Sequence, residues 1–208
     1  TLRNNTTGSN NTGVGYGALV NNTTASYNTA VGYVAGYSST TADRYTAVGH
    51  QALYSLTTGT SNSSFGERSS NLMTTGTYNV AVGGTALFST TTGSSNTAVG
   101  LSALHNNTTA SSNTAVGFQA GYYNTTGSLT ALGSLSLFAN TTGTGNTAIG
   151  GQTAAVSNAA LQANTTGYWN TAVGSGSLQA NTTGAQNAAV GLLALAANTT
   201  GLNNTAVG

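Results

Sequence analysis

The sequence predicts an all-β fold, a parallel β-solenoid of about twelve coils that each contain about 17 residues. Three observations predict this fold: a short apolar strand recurs at a constant interval, a polar turn sequence follows each copy, and only 2% of the residues are charged. The unit is Asn-Thr-Ala-Val-Gly-x-x-Ala-Leu-x-x-Asn-Thr-Thr-Gly-x-x, and it covers the whole chain. We therefore predict one repeat array over residues 1–208 and no second domain.

The interval is measured between the glycines that follow each strand, which we call the repeat glycines. Nine of the eleven steps between them are 17 residues long. One step of 16 indicates a one-residue deletion before Gly133, and one step of 24 indicates a seven-residue insertion within 151–159. The repeat glycines are Gly15, Gly32, Gly49, Gly66, Gly83, Gly100, Gly117, Gly133, Gly150, Gly174, Gly191 and Gly208.

Each part of the unit has a β-type interpretation. The unit is too short for a helix pair or a leucine-rich repeat, and its Gly, Asn and Thr residues disfavour helix. Thr-Ala-Val is a three-residue strand, and Asn-Thr-Thr-Gly has the residues of a type I turn. At about 3.3 Å per residue one unit traces a perimeter of roughly 56 Å, and twelve coils stacked about 4.8 Å apart give a rod roughly 58 Å long.

Stacking places each residue above its equivalent in the previous coil, so identical side chains form columns. Repeated like charges would repel each other, whereas Asn and Thr can form hydrogen-bonded ladders. We expect the interior to contain the valine and leucine columns, as at Val31, Val48, Val82, Val99, Val116, Leu53, Leu87 and Leu104.

Neighbouring residues on a strand face opposite ways, so we expect the adjacent alanines to point outward. They are Ala30, Ala47, Ala81, Ala98 and Ala115, together with Ala18, Ala35, Ala52, Ala86 and Ala103. Contiguous apolar stripes usually mark an interface. They favour side-by-side association of chains, most naturally a homotrimer; the alternative is a monomer that tolerates exposed alanine. Head-to-tail stacking into a filament is a further possibility.

The unit resembles a known group of repeats. Asn28-Thr29-Ala30-Val31-Gly32, followed by x-x-Ala-Leu and Asn-Thr-Thr-Gly in the consensus, is similar to the repeats that precede intramolecular chaperone domains in bacteriophage tail fibres and tail-fibre-like bacterial surface proteins. It is more loosely similar to the head repeats of trimeric autotransporter adhesins. The resemblance implies a trimer of parallel β-rolls in an extracellular fibre.

The composition argues against several functional classes. Three basic residues cannot grip nucleic acid electrostatically, no apolar run is long enough for membrane insertion, and the lack of cysteine excludes thiolate metal sites. His50 and Glu67 both follow a repeat glycine, so they could form an acid–base dyad or merely an isolated surface pair. Asp43-Arg44 and Glu67-Arg68 are expected at solvated corners. We predict no enzyme, no cofactor and no metal site.

One column is a candidate binding surface. Five residues after the repeat glycine stand aromatic side chains that could contact a glycan or receptor on the side of the rod. The alternative is that these rings only stabilise neighbouring coils by stacking. The candidate contacts are Tyr37, Tyr54, Phe88, Tyr122 and Phe138, and His105 lies in the same column.

The Asn-Thr-Thr sequence raises two other possibilities. A regular threonine array can bind ice, but adjacent threonines face opposite ways and lie in a turn. The tripeptide is also an acceptor for N-glycosylation, although columns 4.8 Å apart leave little room for a glycan on every coil. The sequence thus predicts a structural shaft of an extracellular or virion fibre; the alternatives are an adhesin head that binds a glycan or receptor, and an ice-binding solenoid.

Overall fold

The computed structural model describes residues 1–153 and 158–208, and it confirms the β-solenoid. Over these residues it has one sheet of twelve parallel strands in chain order, one strand per coil. The strands are β1 (Thr12–Val14), β2 (Thr29–Val31), β3 (Thr46–Val48), β4 (Ser63–Phe65), β5 (Val80–Val82), β6 (Thr97–Val99), β7 (Thr114–Val116), β8 (Leu129–Leu132), β9 (Asn146–Ile149), β10 (Thr171–Val173), β11 (Ala188–Val190) and β12 (Thr205–Val207).

The strand register follows the sequence period. Equivalent residues pair between consecutive coils, as Ala30 pairs with Ala47. Between β7 and β8 the partner of Thr114 is Thr130, and between β9 and β10 the partner of Thr147 is Thr171. The register therefore absorbs the irregular steps while keeping equivalent residues opposite each other. The insertion predicted within 151–159 includes residues 154–157, which lie outside the described residues.

Backbone hydrogen bonds join the coils beyond the sheet as well. The amide of Val34 donates to the carbonyl of Tyr16 at 2.8 Å, and the amide of Thr57 donates to the carbonyl of Thr74 at 2.9 Å. The buried polar backbone of a thin coil thus finds partners in the coils above and below, as buried backbone groups must.

Each coil turns through residues in the left-handed backbone region. Two and four residues after the repeat glycine, φ is positive even for large side chains, as at Gln51 (57°) and Leu53 (49°). A positive φ costs energy in residues other than glycine. Here inter-coil hydrogen bonds and the burial of Leu53 hold the backbone in this conformation. The repeat glycine is required sterically: Gly32 has φ 140°, and a Cβ there would collide with the carbonyl of Gly49.

The interior differs from the prediction. Ala30 and Ala47 are fully buried, whereas Val31 and Val48 point outward and are partly exposed, so the predicted facing of the strands was wrong. Leu53 is fully buried as predicted. The narrow coil holds one large side chain from the leucine column, and only the small alanine fits opposite it.

The second group of predicted outward alanines is also inside. Ala52 is fully buried beside Leu53, because the positive φ of Leu53 breaks the alternation of an extended strand. The alanine stripes expected on the surface are therefore core columns: Ala18, Ala30, Ala35, Ala47, Ala52, Ala81, Ala86, Ala98, Ala103 and Ala115 are all fully buried.

Two ladders of buried asparagine run beside this core. In the first, which we call the turn ladder, the asparagine of Asn-Thr-Thr donates to its equivalent in the previous coil and closes its own turn. Asn124 donates from Nδ2 to Asn107 Oδ1 at 3.1 Å and to the carbonyl of Gly127 at 2.9 Å. The side chain thus supplies the hydrogen bond that closes the turn.

The second ladder, which we call the strand ladder, uses the asparagine that precedes each strand. Asn96 Nδ2 donates to Asn79 Oδ1 at 3.0 Å and to the carbonyl of Ala110 at 3.0 Å. Its Oδ1 accepts from the backbone amide and the Nδ2 of Asn113. Every polar atom of this buried amide therefore has a partner, as buried networks require.

The strand ladder is interrupted in two coils where the core leucine is absent. Gly36 replaces the core leucine, and Tyr45 replaces the strand-ladder asparagine nine residues later. A Cβ on Gly36 would lie 2.6 Å from the Tyr45 hydroxyl, so the tyrosine fills the space that the missing leucine leaves. Gly121 and Leu129 repeat the exchange, because a Cβ on Gly121 would lie 3.4 Å from Leu129 Cδ2.

Removing one rung of the strand ladder should destabilise the whole rod. Asn96→Ala leaves the Ala110 carbonyl and the Asn113 side-chain amide without these partners, and each buried group left unpaired costs about 1–3 kcal/mol. Thr92→Ala, at an exposed turn position, is the control and should change the free energy of unfolding by less than about 0.5 kcal/mol. Chemical denaturation measures both; equal effects would contradict the importance of the ladder.

The exchange between Gly36 and Tyr45 predicts a strong coupling. Gly36→Leu alone should cost about 1–3 kcal/mol by overpacking against Tyr45, and Tyr45→Asn alone should cost about 2–5 kcal/mol by leaving a cavity. The double variant restores the consensus pair and should unfold close to the wild type. Additive losses in a double-mutant cycle of unfolding free energies would refute the compensation.

Candidate ligand-binding surface

The predicted aromatic column forms two ladders of stacked rings. Tyr37 and Tyr54 have ring centroids 5.1 Å apart and an interplanar angle of 10°. Further along, rings follow one another at 4.9–5.5 Å with angles of 14–23°. All of these rings are half-buried. The structure thus brings the candidate residues together in two groups, Tyr37 with Tyr54, and Phe88, His105, Tyr122 and Phe138.

The break between the two ladders lies at one coil. Asn71 stands in the aromatic column there and is buried, with its Nδ2 donating to the carbonyl of Gln51 at 3.0 Å. The guanidinium of Arg68 lies 5.0 Å from the centroid of the Phe88 ring. This cation–π contact covers the end of the aromatic ladder that begins at Phe88.

Stacking decides which part of each ring a ligand can reach. The rings lie nearly parallel, so their faces contact each other inside a ladder, and edges and hydroxyls point outward. Such stacking stabilises neighbouring coils by about 0.5–1.5 kcal/mol per pair. Free ring faces exist only where a ladder ends. The ring faces inside a ladder therefore stabilise neighbouring coils, whereas the ring edges, the hydroxyls and the faces at the ladder ends are the parts that a ligand can reach.

A second aromatic column was missed by the sequence analysis. The residue directly after the repeat glycine is aromatic in the first coils, where Tyr16, Tyr33 and His50 stack at 5.4 and 5.5 Å. Tyr16 is 76% exposed and Tyr33 is 51% exposed. The signal is present in the sequence, since both tyrosines, like His50, directly follow a repeat glycine.

The two columns enclose a groove along the first three coils, with a volume of about 520 Å³. It is lined by uncharged side chains apart from one arginine and contains no carboxylate. The volume lies in the range typical of ligand-binding clefts, roughly 300–1,000 Å³. The lining residues that matter below are Arg3, Tyr16, Tyr33, Tyr37, Gln51 and Tyr54.

The titratable residues do not assemble into a catalytic arrangement in the part of the chain that the structure describes. His50 stacks on Tyr33 and makes no ion pair with Glu67. Asp43 accepts a hydrogen bond from the backbone amide of Ser26 at 2.6 Å, and the guanidinium of Arg44 lies 6.0 Å from the Tyr27 ring centroid. No group of three or more metal-ligating side chains occurs among residues 1–153 and 158–208.

The most perturbed titratable group lies in the core and not in the groove. Burial raises the pKa of the Tyr45 phenol well above its ordinary value, and the nearby Ser39 hydroxyl lowers it by a smaller amount. Neither hydroxyl, nor Asn22 Oδ1, has a hydrogen bond of good geometry. These three atoms mark the interruption of the turn ladder, where Ser39 stands in place of the asparagine that would donate to Asn22.

The threonine pairs have two different environments. The first hydroxyl of most pairs bonds the next coil, as Thr74 Oγ1 donates to the carbonyl of Thr91 at 3.2 Å. The second threonine is exposed in every coil, as at Thr75 and Thr92. Only one exposed threonine column therefore runs along this corner. A second outward hydroxyl column lies on the sheet, beside Val31 and its equivalents, but Val80 and Ala188 interrupt it.

The glycosylation sequence is largely inside the fold. Most of its asparagines are fully buried in the turn ladder, so a glycan would have to displace the ladder and the turn that it closes. The fully buried acceptors are Asn22, Asn107, Asn124, Asn140, Asn164 and Asn181.

Comparisons with known proteins give no relative: no family model matches the chain, and neither the curated proteins nor the solved structures contain a match. Among the described residues no helix could span a bilayer.

Proposed function

We propose that the chain is a structural shaft segment of an extracellular or virion fibre. The observation that carries this proposal is the unbroken pairing of equivalent residues through all twelve strands, which makes one continuous rod. The asparagine ladders and the stacked rings add side-chain bonds in the same direction. Interactions repeated along one axis suit a part that transmits force and keeps a tip at a distance from its anchor.

The proposed shaft is a homotrimer, and its association surface is not the one first expected. The outward face of the sheet carries an apolar column, which we call the sheet stripe. Its exposed members include Val82, Val116, Ile149 and Val190. An exposed apolar stripe of this length favours lateral contact with further copies of the chain, and the near absence of charge leaves little repulsion between identical chains.

Charges placed on the sheet stripe should abolish the association. The double variant Val82→Lys and Val116→Lys should reduce the solution mass from a trimer to a monomer, because the desolvation of a lysine opposes burial of the stripe. The control pair, Thr75→Lys and Thr109→Lys, lies on the exposed turn column and should leave the mass unchanged. Light scattering measures the mass.

The wild-type result separates the parts of the proposal. A monomeric wild type would overturn the trimer, while electron microscopy of the same sample would still test the rod. A particle without an elongated dimension near the roughly 58 Å expected for twelve coils would contradict the shaft itself.

The groove favours a second candidate function, an adhesin head that binds a glycan or receptor on its side. Aromatic and polar side chains converge on an open cleft there, which is the usual composition of a ligand site. The stacked rings of Tyr37 and Tyr54 border this cleft. The aromatic ladder from Phe88 to Phe138 extends the aromatic surface along the rod.

Lateral binding predicts that serine in place of Tyr37, Tyr54 and Tyr122 removes attachment to a glycan or cell panel, because this variant loses rings from both ladders. The control replaces the three exposed threonines Thr41, Thr75 and Thr126 with serine and should bind like the wild type. Attachment that survives the tyrosine changes would contradict this function.

A further inference from the structure

The groove of the first three coils has tyrosines on both of its walls. Tyr16 and Tyr33 line one wall, and Tyr37 and Tyr54 line the other. The floor is the column two residues after the repeat glycine, which has positive φ at Gly17 (67°), Val34 (48°) and Gln51 (57°). This left-handed turn separates the two columns, so their side chains stand on either side of it.

The groove is confined to these coils. In the next coil the floor position is Arg68, and its guanidinium crosses to the Phe88 ring. Asn71 fills the aromatic column at the same level and bonds the Gln51 carbonyl. Glu67 replaces the wall aromatic there. Aromatic side chains flank the floor on both sides in the second and third coils, whereas the coil of Gly117 repeats this arrangement at a single level with Phe118 and Tyr122.

The Tyr37 ring ends its ladder inside the groove. Tyr54 covers one face of Tyr37, and Val20 occupies the same column one coil earlier, so the neighbour on the opposite side is an aliphatic side chain instead of a ring. The floor below is Gly17, and a Cβ there would lie 2.9 Å from Val34 Cγ1 and 3.7 Å from Tyr37 Cδ2. Glycine at this position therefore lets Val34 pack closely against the first coil beside the Tyr37 ring.

The chemistry of this groove is that of a carbohydrate site. A pyranose ring has an apolar face of C–H groups, which stacks on an aromatic face, and a rim of hydroxyls, which needs donors and acceptors. Tyrosine hydroxyls and the Gln51 amide supply both kinds of group. Arg3 is the one ionisable side chain in the lining besides the tyrosines, and no carboxylate is present to bind a cation.

The periodicity of the walls favours a chain of sugars over a single ring. Aromatic rungs recur with every coil, at the strand spacing of about 4.8 Å, so equivalent contacts repeat along the groove. We propose that this groove binds a linear, uncharged oligosaccharide, with the tyrosines of its two walls as aromatic contacts and Gln51 as a polar contact. The inference rests on the lateral-binding function proposed above and names its site and ligand class.

The test measures calorimetric binding of cellohexaose, chitohexaose and maltohexaose to the full chain. At least one of these probes should bind the wild type. Tyr37→Ser should weaken that binding on the order of ten-fold, the loss expected for one aromatic contact. Tyr37→Phe, which keeps the ring stack, should weaken it less. Thr75→Ser, on the exposed turn column, is the control and should leave the affinity unchanged. Tyr122→Ser removes a ring from the other aromatic ladder and shows whether binding occurs there instead of in the groove.

A second variant separates binding from folding. Tyr33→Ser removes a half-exposed wall ring, and unfolding temperature shows whether each variant retains the fold. If Tyr37→Ser unfolds, Tyr33→Ser replaces it in the test. Weaker binding by folded Tyr33→Ser would then support the groove as the binding site, and unchanged binding would contradict it.

Failure of the groove and failure of lateral binding give different results. Binding that Tyr122→Ser weakens but Tyr37→Ser and Tyr33→Ser do not would overturn the groove while lateral binding stands. No binding of the three hexasaccharides, with attachment to the glycan or cell panel intact, would overturn the ligand class. No binding in either assay would overturn both.

Discussion

Hydrogen bonding between equivalent residues of consecutive coils is the constraint on which the rest of the structure depends. A coil this thin cannot satisfy its backbone internally, so its amides and carbonyls bond the coils above and below. Once equivalent residues face each other, each side chain must tolerate a copy of itself at the strand spacing. An amide such as Asn96 does this well because it donates to one copy and accepts from the next, whereas a charge does not.

The same constraint explains why volume is conserved more strictly than residue identity in the interior. The narrow coil has little interior space, and another large side chain fills it when the core leucine is lost. Tyr45 reaches into the space above Gly36, and Leu129 does so beside Gly121. Tyr45 in the strand ladder, together with Ser39 in the turn ladder of the same coil, leaves three polar atoms without hydrogen bonds, which indicates that filling the core is favoured even where the amide ladders are broken.

The sequence was sufficient to predict the fold and register because the period alone fixes both. It could not fix which strand face is inside, because Ala30 and Val31 are both apolar and alternation allows either solution; interior volume decides, and it selects alanine. The left-handed turns were also invisible, since Gln51 and Leu53 carry no local signal for positive φ. Of the candidate site, the column of Tyr37 and Tyr54 was found from its spacing, while the groove was missed because it needs the turn geometry that places a second column opposite.

Inward-facing and outward-facing columns are under different structural constraints. A specific function is therefore expected on the outward-facing columns. Inner columns repeat alanine, leucine and asparagine because each must fit a fixed space. The column after the repeat glycine instead changes from Tyr16 to Glu67 to Leu101, and its members are exposed. Outward side chains can vary from coil to coil without disturbing the pairing below them. A rod that only bears load needs no particular pattern in these columns. The coincidence of two aromatic columns across one unblocked floor is therefore the feature of this surface that the demands of stacking do not explain.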